Sequence, residues 1–177
     1  MSELQDIAGL CKKHVSDRLE DVDAVRVQSF TNIELNEFLV FHGAPSDIIE
    51  RLQMQGLDAR YAGEHRGKMF GNGLYFATNS SKSDIYTTPD AAGLRCLLVV
   101  RVCLGEPHRA KAGDKSMKRA PDRQDQRGPL SSVVGLKENE GGVLQHREYV
   151  VYRETQTLPQ YAVWYRHASE CQCTHCA

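Results

Sequence analysis

The sequence predicts an α+β fold, a mostly antiparallel sheet with flanking helices, and three observations carry that expectation. Helix-period apolar patterning is concentrated early in the chain, strand signals rich in Val, Tyr and Phe dominate the rest, and the two never alternate as a doubly wound parallel sheet requires. At 177 residues the chain has the length of one domain with its own core. Its 41% hydrophobic and 25% charged residues exclude a disordered or fibrous chain.

Leu4, Ile7, Ala8, Cys11, Val15 and Leu19 recur at helical spacing and predict an amphipathic helix over 3–20, ended by Glu20, Asp21 and Asp23. Residues 1–24 therefore read as an N-terminal helical extension. A strand is expected from Phe38 to Phe41. A short helix follows from Ser46 to Gln55, with Ser46 as its cap, Ile48, Ile49 and Leu52 on one face, and Gly56 as its stop. Further strands are expected at Leu74 to Ala77, Leu94 to Leu104, Ser132 to Val134, Glu148 to Tyr152 and Tyr161 to Tyr165. Residues 106–130 read as a long surface loop carrying seven cations (Arg109, Lys111, Lys115, Lys118, Arg119, Arg123, Arg127) against Asp114, Asp122 and Asp125. Two readings of it stand open, a solvated flexible excursion, which the interspersed acids favour, and a polyanion-binding patch.

A net charge of −1 gives no general attraction to nucleic acid, so an anionic ligand must be held by local groups. No apolar run approaches the roughly 20 residues of a membrane span, and Met1 to Glu20 has no signal-peptide core. The expectation is a soluble intracellular protein, nuclear or cytoplasmic, with no membrane partner. Cys96 and Cys103 lie in an apolar strand-like run and read as reduced core residues, not as a disulfide framework. Cys171, Cys173, His175 and Cys176 are metal-ligand types, but a terminal cluster without a second ligand pair is not a closed site; residues 169–177 read as a frayed Cys/His-rich tail and no metal is expected.

Four segments carry residues suited to chemistry. Phe41-His42-Gly43 ends an apolar strand, where glycine permits close backbone approach and histidine offers two ring nitrogens. Met69 to Ala77 places a Gly-Asn-Gly turn before a strand, the reverse of a dinucleotide-binding fingerprint, which needs a strand first and a helix after. Ser81 to Tyr86 opens a short helix capped by Ser81, with Ser83 and Tyr86 on one face. Glu148-Tyr149-Val150-Val151-Tyr152 sets a carboxylate on the strand face of Val150 and Tyr152, where it demands a reason.

His42-Gly43, Met69 to Ala77, Ser80 to Tyr86, Ser132 to Gly135 and Glu148 to Tyr165 occur in the order and spacing of the poly(ADP-ribose) polymerase catalytic domain, which the chain resembles from Val25 to Tyr165. The likeness is tankyrase-like at Gly56 to Arg60 and at Met117 to Pro121. The resemblance implies an ADP-ribosyltransferase catalytic domain over 25–168, with an NAD cleft between two mostly antiparallel sheets. By the same likeness Gly43 and Ser83 clamp the nicotinamide carboxamide, Tyr86 stacks on its ring, and Tyr75 packs from the other side. His42 bonds the adenosine ribose, Ala77 leaves room for the flat ring, Lys82 supports the site electrostatically, and Glu148 is the catalytic carboxylate. Met69 and the loop near Lys111 to Arg127 border the acceptor side.

The implied activity is cleavage of the nicotinamide–ribose bond of NAD, a substrate, and transfer of ADP-ribose to protein acceptors with chain extension, without a required metal. Transfer of single units and a non-catalytic NAD or ADP-ribose binding module are the alternatives. The basic loop brings ADP-ribose polymer in as a further partner, and no intrinsic DNA-binding module is expected. The chain departs from the family where Ala44 replaces the serine that often follows His-Gly, and where the Cys/His cluster of tankyrases is missing from Tyr86 to Gly93.

Overall fold

A computed structural model describes residues 32, 34–58, 68–125 and 127–168. The helix expected over 3–20, Ala59 and Arg60 of the tankyrase-like segment, and the tail at 169–177 lie outside the described residues.

Among the described residues seven strands form two sheets. Strands β1 (Glu37–Gly43), β3 (Arg95–Cys103) and β7 (Thr157–Tyr165) make an antiparallel sheet in the order β1-β3-β7. Strands β2 (Leu74–Phe76), β6 (Glu148–Val151), β5 (Ser132–Gly135) and β4 (Pro107–Ala110) make the other, in the order β2-β6-β5-β4. Only β4 and β5 run parallel among these pairs. The α+β class and its mostly antiparallel pairing are as the sequence predicts.

The two helices are α1 (Ser46–Gln55) and α2 (Ser80–Asp84). The sequence places α1 correctly, but its cap is Pro45, not Ser46. Proline has no N–H to leave unsatisfied at a helix start, and the Ser46 N–H, one of the orphan donors of the first turn, goes to Thr88 Oγ1 at 3.2 Å. Gly56 ends the helix at φ 80°, donating its N–H to Leu52 O at 3.0 Å. At α2 the cap is Asn79, whose side chain accepts the Ser81 N–H at 3.1 Å, so Ser81 lies inside the helix it was expected to cap.

Two strands differ from expectation. β7 begins at Thr157 and runs through Pro159, which reads as a breaker in sequence. It is tolerated because β7 is an edge strand, and the register slips there, Val99 facing Tyr161 while Val100 faces Pro159. β4 is four residues with only Ala110 buried, too short and too polar to show an alternating pattern.

The main core lies between the sheets. Phe38 and Val40 of β1, Leu98, Val100 and Val102 of β3, and Ile49 and Leu52 of α1 pack with Leu74, Phe76, Val134, Tyr149 and Val151 of the second sheet. Phe38 and Tyr149 stack across this boundary at 5.8 Å between ring centroids. A pair of backbone bonds then joins the sheets directly: Phe41 N–H to Ala77 O at 2.8 Å and Ala77 N–H to Phe41 O at 3.1 Å.

A second cluster corrects the picture of 106–130 as a free excursion. Phe70, Ala110, Ala120, Val133, Leu144 and Val150 are buried together, with Met69, Tyr75, Met117, Leu130 and Tyr152 against them. Asn72 N–H reaches Met117 O at 3.0 Å, and Tyr152 OH donates to Phe70 O at 2.7 Å. Three of the seven cations are paired locally, Arg119 with Asp122, Arg123 with Glu106, and Arg127 with Asp125. A few apolar residues separated by charges anchor this segment, a pattern with no period to read.

The turn before β6 is held by Arg147, which donates to both carboxylate oxygens of Glu140, while the Lys137 N–H bonds the same carboxylate at 3.1 Å. The Arg147 bonds are the main reason that the Glu140 pKa falls from the ordinary 4.5 to about 2. A carboxylate depressed on folding contributes stability above its unfolded pKa and loses it as pH falls through the folded one. Unfolding stability should therefore decline on acidification between about pH 4.5 and 2, and Glu140→Gln should flatten that part of the curve in urea titrations at each pH. Phe70→Ala, which empties the centre of the second cluster, should cost about 3–5 kcal/mol in the same measurement.

Candidate active site

The cleft opens beside the Phe41–Ala77 junction. Strand β1 delivers His42 and Gly43 to one side of it, and β2 delivers Tyr75 and Ala77 to the other. The antiparallel register sets Tyr75 opposite Val150 and Phe76 opposite Tyr149, while Ala77, just past β2, bridges to Phe41 and Glu148, at the start of β6, pairs with Gly135. Helix α2 and the turn after it add Lys82, Ser83 and Tyr86. The eight residues expected from sequence, His42, Gly43, Tyr75, Ala77, Lys82, Ser83, Tyr86 and Glu148, all line this one cleft.

Met69 is not among the lining residues. It packs in the second cluster beneath Gly113, where an added Cβ would lie 2.6 Å from the Met69 side chain. The lining includes residues that no motif signalled, among them Arg51 and Lys68, and also Asp58 of the segment Gly56 to Arg60. Arg51 lies one turn from Ile48 on α1, so the helical face that buries Ile48 could have pointed to it.

Gly43 is required by close packing. A Cβ there would lie 1.8 Å from the Ser83 carbonyl oxygen, a backbone atom that cannot swing aside. The Ser83 hydroxyl, itself buried, donates to Phe41 O at 3.0 Å and draws α2 onto the end of β1. His42 is partly buried, its ring 5.6 Å from that of Phe76, and its Nδ1 contacts Tyr75 O at 2.9 Å. A carbonyl only accepts, so the proton of that contact sits on Nδ1 and Nε2 is left as an acceptor. Burial lowers the His42 pKa more than the Tyr75 carbonyl raises it, so the ring stays neutral.

The Tyr75 hydroxyl is fixed between two backbone groups, accepting the Phe70 N–H at 2.9 Å and donating to Gly71 O at 2.8 Å. Burial pushes its pKa up to about 12, with the Phe70 N–H opposing and the Glu148 charge adding to the rise. Glu148 is 6% exposed, and Lys82 Nζ lies 3.0 Å from its Oε1. Burial alone pulls Lys82 down, but the charge and hydrogen bond of Glu148, with Tyr86 adding to them, outweigh it and the ammonium is held more firmly than usual. Lys82 Nζ also lies 5.8 Å from the centre of the Tyr86 ring. The arrangement pairs a buried carboxylate with one cation in a cleft that Tyr75 and Tyr86 also line.

Among the described residues no three His, Cys, Asp or Glu side chains gather where a metal ion could be held, and no helix is long and apolar enough to cross a membrane. Cys96 and Cys103 are free thiols, and burial raises the pKa of Cys96 to about 11.

Comparison with known proteins matches residues 2–167 to the family described as the poly(ADP-ribose) polymerase catalytic domain. Protein mono-ADP-ribosyltransferase PARP14 of Homo sapiens is 29% identical over 135 residues, 75% of this chain and 7% of that protein. Protein mono-ADP-ribosyltransferase PARP10 of Mus musculus is 27% identical over 130 residues, 72% of this chain and 12% of that protein. Protein mono-ADP-ribosyltransferase PARP12 of Mus musculus is 26% identical over 137 residues, 77% of this chain and 18% of that protein. The chain thus spans less than a fifth of the length of each of these relatives.

Gly43→Ala should force α2 away from β1. The expected loss is about 1–3 kcal/mol of unfolding stability, read by urea titration, because the obstructing atom is backbone. Ser83→Ala, which removes one buried hydroxyl and leaves the contact surface, should cost only about 1 kcal/mol.

Proposed function

Because the chain belongs to the poly(ADP-ribose) polymerase catalytic domain family, whose substrate is NAD, we propose that it cleaves the nicotinamide–ribose bond of NAD and transfers a single ADP-ribose unit to a protein acceptor. The observation that carries this reading is the Glu148 carboxylate, buried in the cleft with Lys82 Nζ 3.0 Å from its Oε1. Breaking the nicotinamide–ribose bond sends its electron pair to the nicotinamide nitrogen and leaves oxocarbenium character on the sugar. A placed negative charge stabilises that state more than the ground state. The acceptor nucleophile then bonds to the ribose carbon and gives up its proton.

The other residues divide along the substrate. The Gly43 backbone and the Ser83 hydroxyl hold the carboxamide, Ser83 exchanging its bond to Phe41 O for one to the ligand. Tyr86 stacks on the nicotinamide ring, Tyr75 closes the other side, and the small Ala77 side chain leaves the slot open. His42, neutral and with Nδ1 taken by Tyr75 O, offers Nε2 to a hydroxyl of the adenosine ribose. Arg51 and Lys68 supply positive charge in the same cleft, which suits a substrate with a pyrophosphate.

Single-unit transfer is preferred to the chain extension expected from sequence for two reasons. The relatives reported above are named mono-ADP-ribosyltransferases. The Oε1 of Glu148 is also taken by Lys82 at 3.0 Å, so the carboxylate presents mainly its other oxygen to an incoming ribose hydroxyl. Chain extension is the second reading, favoured by the presence of His42, Tyr75 and Glu148 together in one cleft. In this proposal residues 25–168 are the catalytic unit, with 1–24 as an extension and 169–177 as a tail. Protein acceptors approach the side bordered by the exposed Lys111, Lys115 and Lys118, and the protein works inside the cell, where NAD is supplied.

Incubation with NAD labelled on its adenine, following nicotinamide release and label on protein, tests the reading. One sharp labelled band is expected; a ladder would restore chain extension, and neither product would refute the activity. Glu148→Gln should slow transfer about 10²-fold or more with little change in NAD affinity. His42→Ala should weaken NAD binding first. Transfer by Glu148→Gln at the parent rate would show that the carboxylate is misassigned.

A further inference from the structure

Helix α2 carries the carboxamide clamp, yet it is only five residues long, far below the length at which a helix holds itself. Its position must come from contacts at both ends. The front contacts are the Asn79 cap and the Ser83 hydroxyl on Phe41 O, already described. The rear is Asp84, the neighbour of Ser83, whose side chain is 16% exposed and faces away from the cleft.

Three elements converge on that carboxylate. The Tyr165 hydroxyl, at the end of β7, donates to Asp84 Oδ1. His167 Nε2, two residues on, lies 3.0 Å from the same carboxylate. Thr87 Oγ1 donates to Asp84 O at 2.8 Å and lies 3.3 Å from Oδ1. Arg95 at the start of β3, register partner of Tyr165, donates through Nη1 to Thr87 O at 2.8 Å and Thr87 Oγ1 at 3.1 Å. Burial and the Asp84 carboxylate both push the Tyr165 pKa up, so its hydroxyl remains a donor. The segment between Ser83 and Thr87 is closed by Tyr86 N–H to Ser83 O at 3.1 Å and Thr87 N–H to Asp84 O at 2.9 Å. A shift of Asp84 is therefore transmitted to the Ser83 hydroxyl on one side and to the Tyr86 ring on the other.

We propose that Asp84 is a positioning residue: the Tyr165, His167, Thr87 and Arg95 network fixes its carboxylate and thereby sets Ser83 and Tyr86 for the carboxamide end of the substrate. None of the five lines the cleft, so each acts through α2 and none touches the substrate. A buried carboxylate is costly unless fully partnered, and an apolar side chain would fill the same space more cheaply; the network supplies direction that packing alone does not. This inference rests on the substrate assignment above. It separates the two ends of the cleft, because His42 and Arg51 stand on β1 and α1, outside the network.

The test is calorimetry of the full chain with benzamide, which probes the carboxamide end, and with ADP-ribose, which lacks it. NAD kinetics are measured alongside. Asp84→Ala should weaken benzamide about 10-fold and raise KM for NAD similarly, leaving ADP-ribose affinity within about two-fold. Tyr165→Phe, which removes one oxygen and keeps the ring, should shift benzamide in the same direction by less, and it carries the test if Asp84→Ala does not fold. Asp84→Asn, which keeps an acceptor for Tyr165, should recover part of the benzamide affinity. Unchanged benzamide binding, or equal weakening of both ligands, overturns the positioning role. A parent protein that binds neither ligand overturns the substrate assignment and this inference with it, whereas a parent that binds both, with unselective variants, overturns the inference alone.

Discussion

Two backbone hydrogen bonds between Phe41 and Ala77 are the constraint on which the rest of the molecule depends. Each sheet completes its own ladder, and this bridge fixes the end of β1 against the end of β2 with the precision of a hydrogen bond. Apolar packing between sheets is non-directional and tolerates sliding. The paired N–H and C=O groups do not. The residues just beyond the bridge, His42 and Gly43 on one strand and Tyr75 just before it on the other, are therefore held as neighbours, and the His42 Nδ1 contact with Tyr75 O extends the same seam by one side chain.

Close approach and charge follow from that seam. Gly43 lets α2 come within van der Waals reach of β1, which carries Lys82 over to Glu148 and Ser83 back to Phe41. Glu148 is buried, and its cation partner, Lys82, is brought to it by a different element from the one that carries the carboxylate. The Ser83–Phe41 bond and the Lys82–Glu148 pair are thus products of one junction. The Asp84 network approaches α2 from the opposite side, so the helix is fixed between the cleft and the ends of β3 and β7.

Much of this was legible in the chain. Strand β3 announces itself by the apolar run Cys96 to Val100, α1 by Ile48, Ile49 and Leu52 with Gly56 after them, and Glu148 by standing on the strand face of Val150 and Tyr152, where a carboxylate demands a reason although a solvated strand end is the ordinary alternative. Local signals failed where the partner was distant. Ser46 and Ser81 look like caps by sequence rule, yet Pro45 and Asn79 take the position, and the Ser46 N–H finds Thr88. Pro159 looks like a break, and only the edge position of β7 makes it harmless. Met117 and Ala120, scattered among charges, show no period, yet they anchor the segment 106–130 beside Phe70.

The sequence by itself determined the fold class and most strand positions, because strand alternation and glycine placement are written in neighbouring residues, and the family resemblance of its motifs pointed to the eight side chains that the structure gathers in the cleft. Only the tertiary structure decided how those side chains meet. The Lys82–Glu148 pair, the tautomer of His42, the entry of Arg51 and Lys68 into the cleft, and the gathering of Asp84, Tyr165 and His167 join residues far apart along the chain. Such contacts depend on which strand end lies beside which helix. That is set by sheet register and by the Phe41–Ala77 bridge, which leave no local trace in the order of the amino acids.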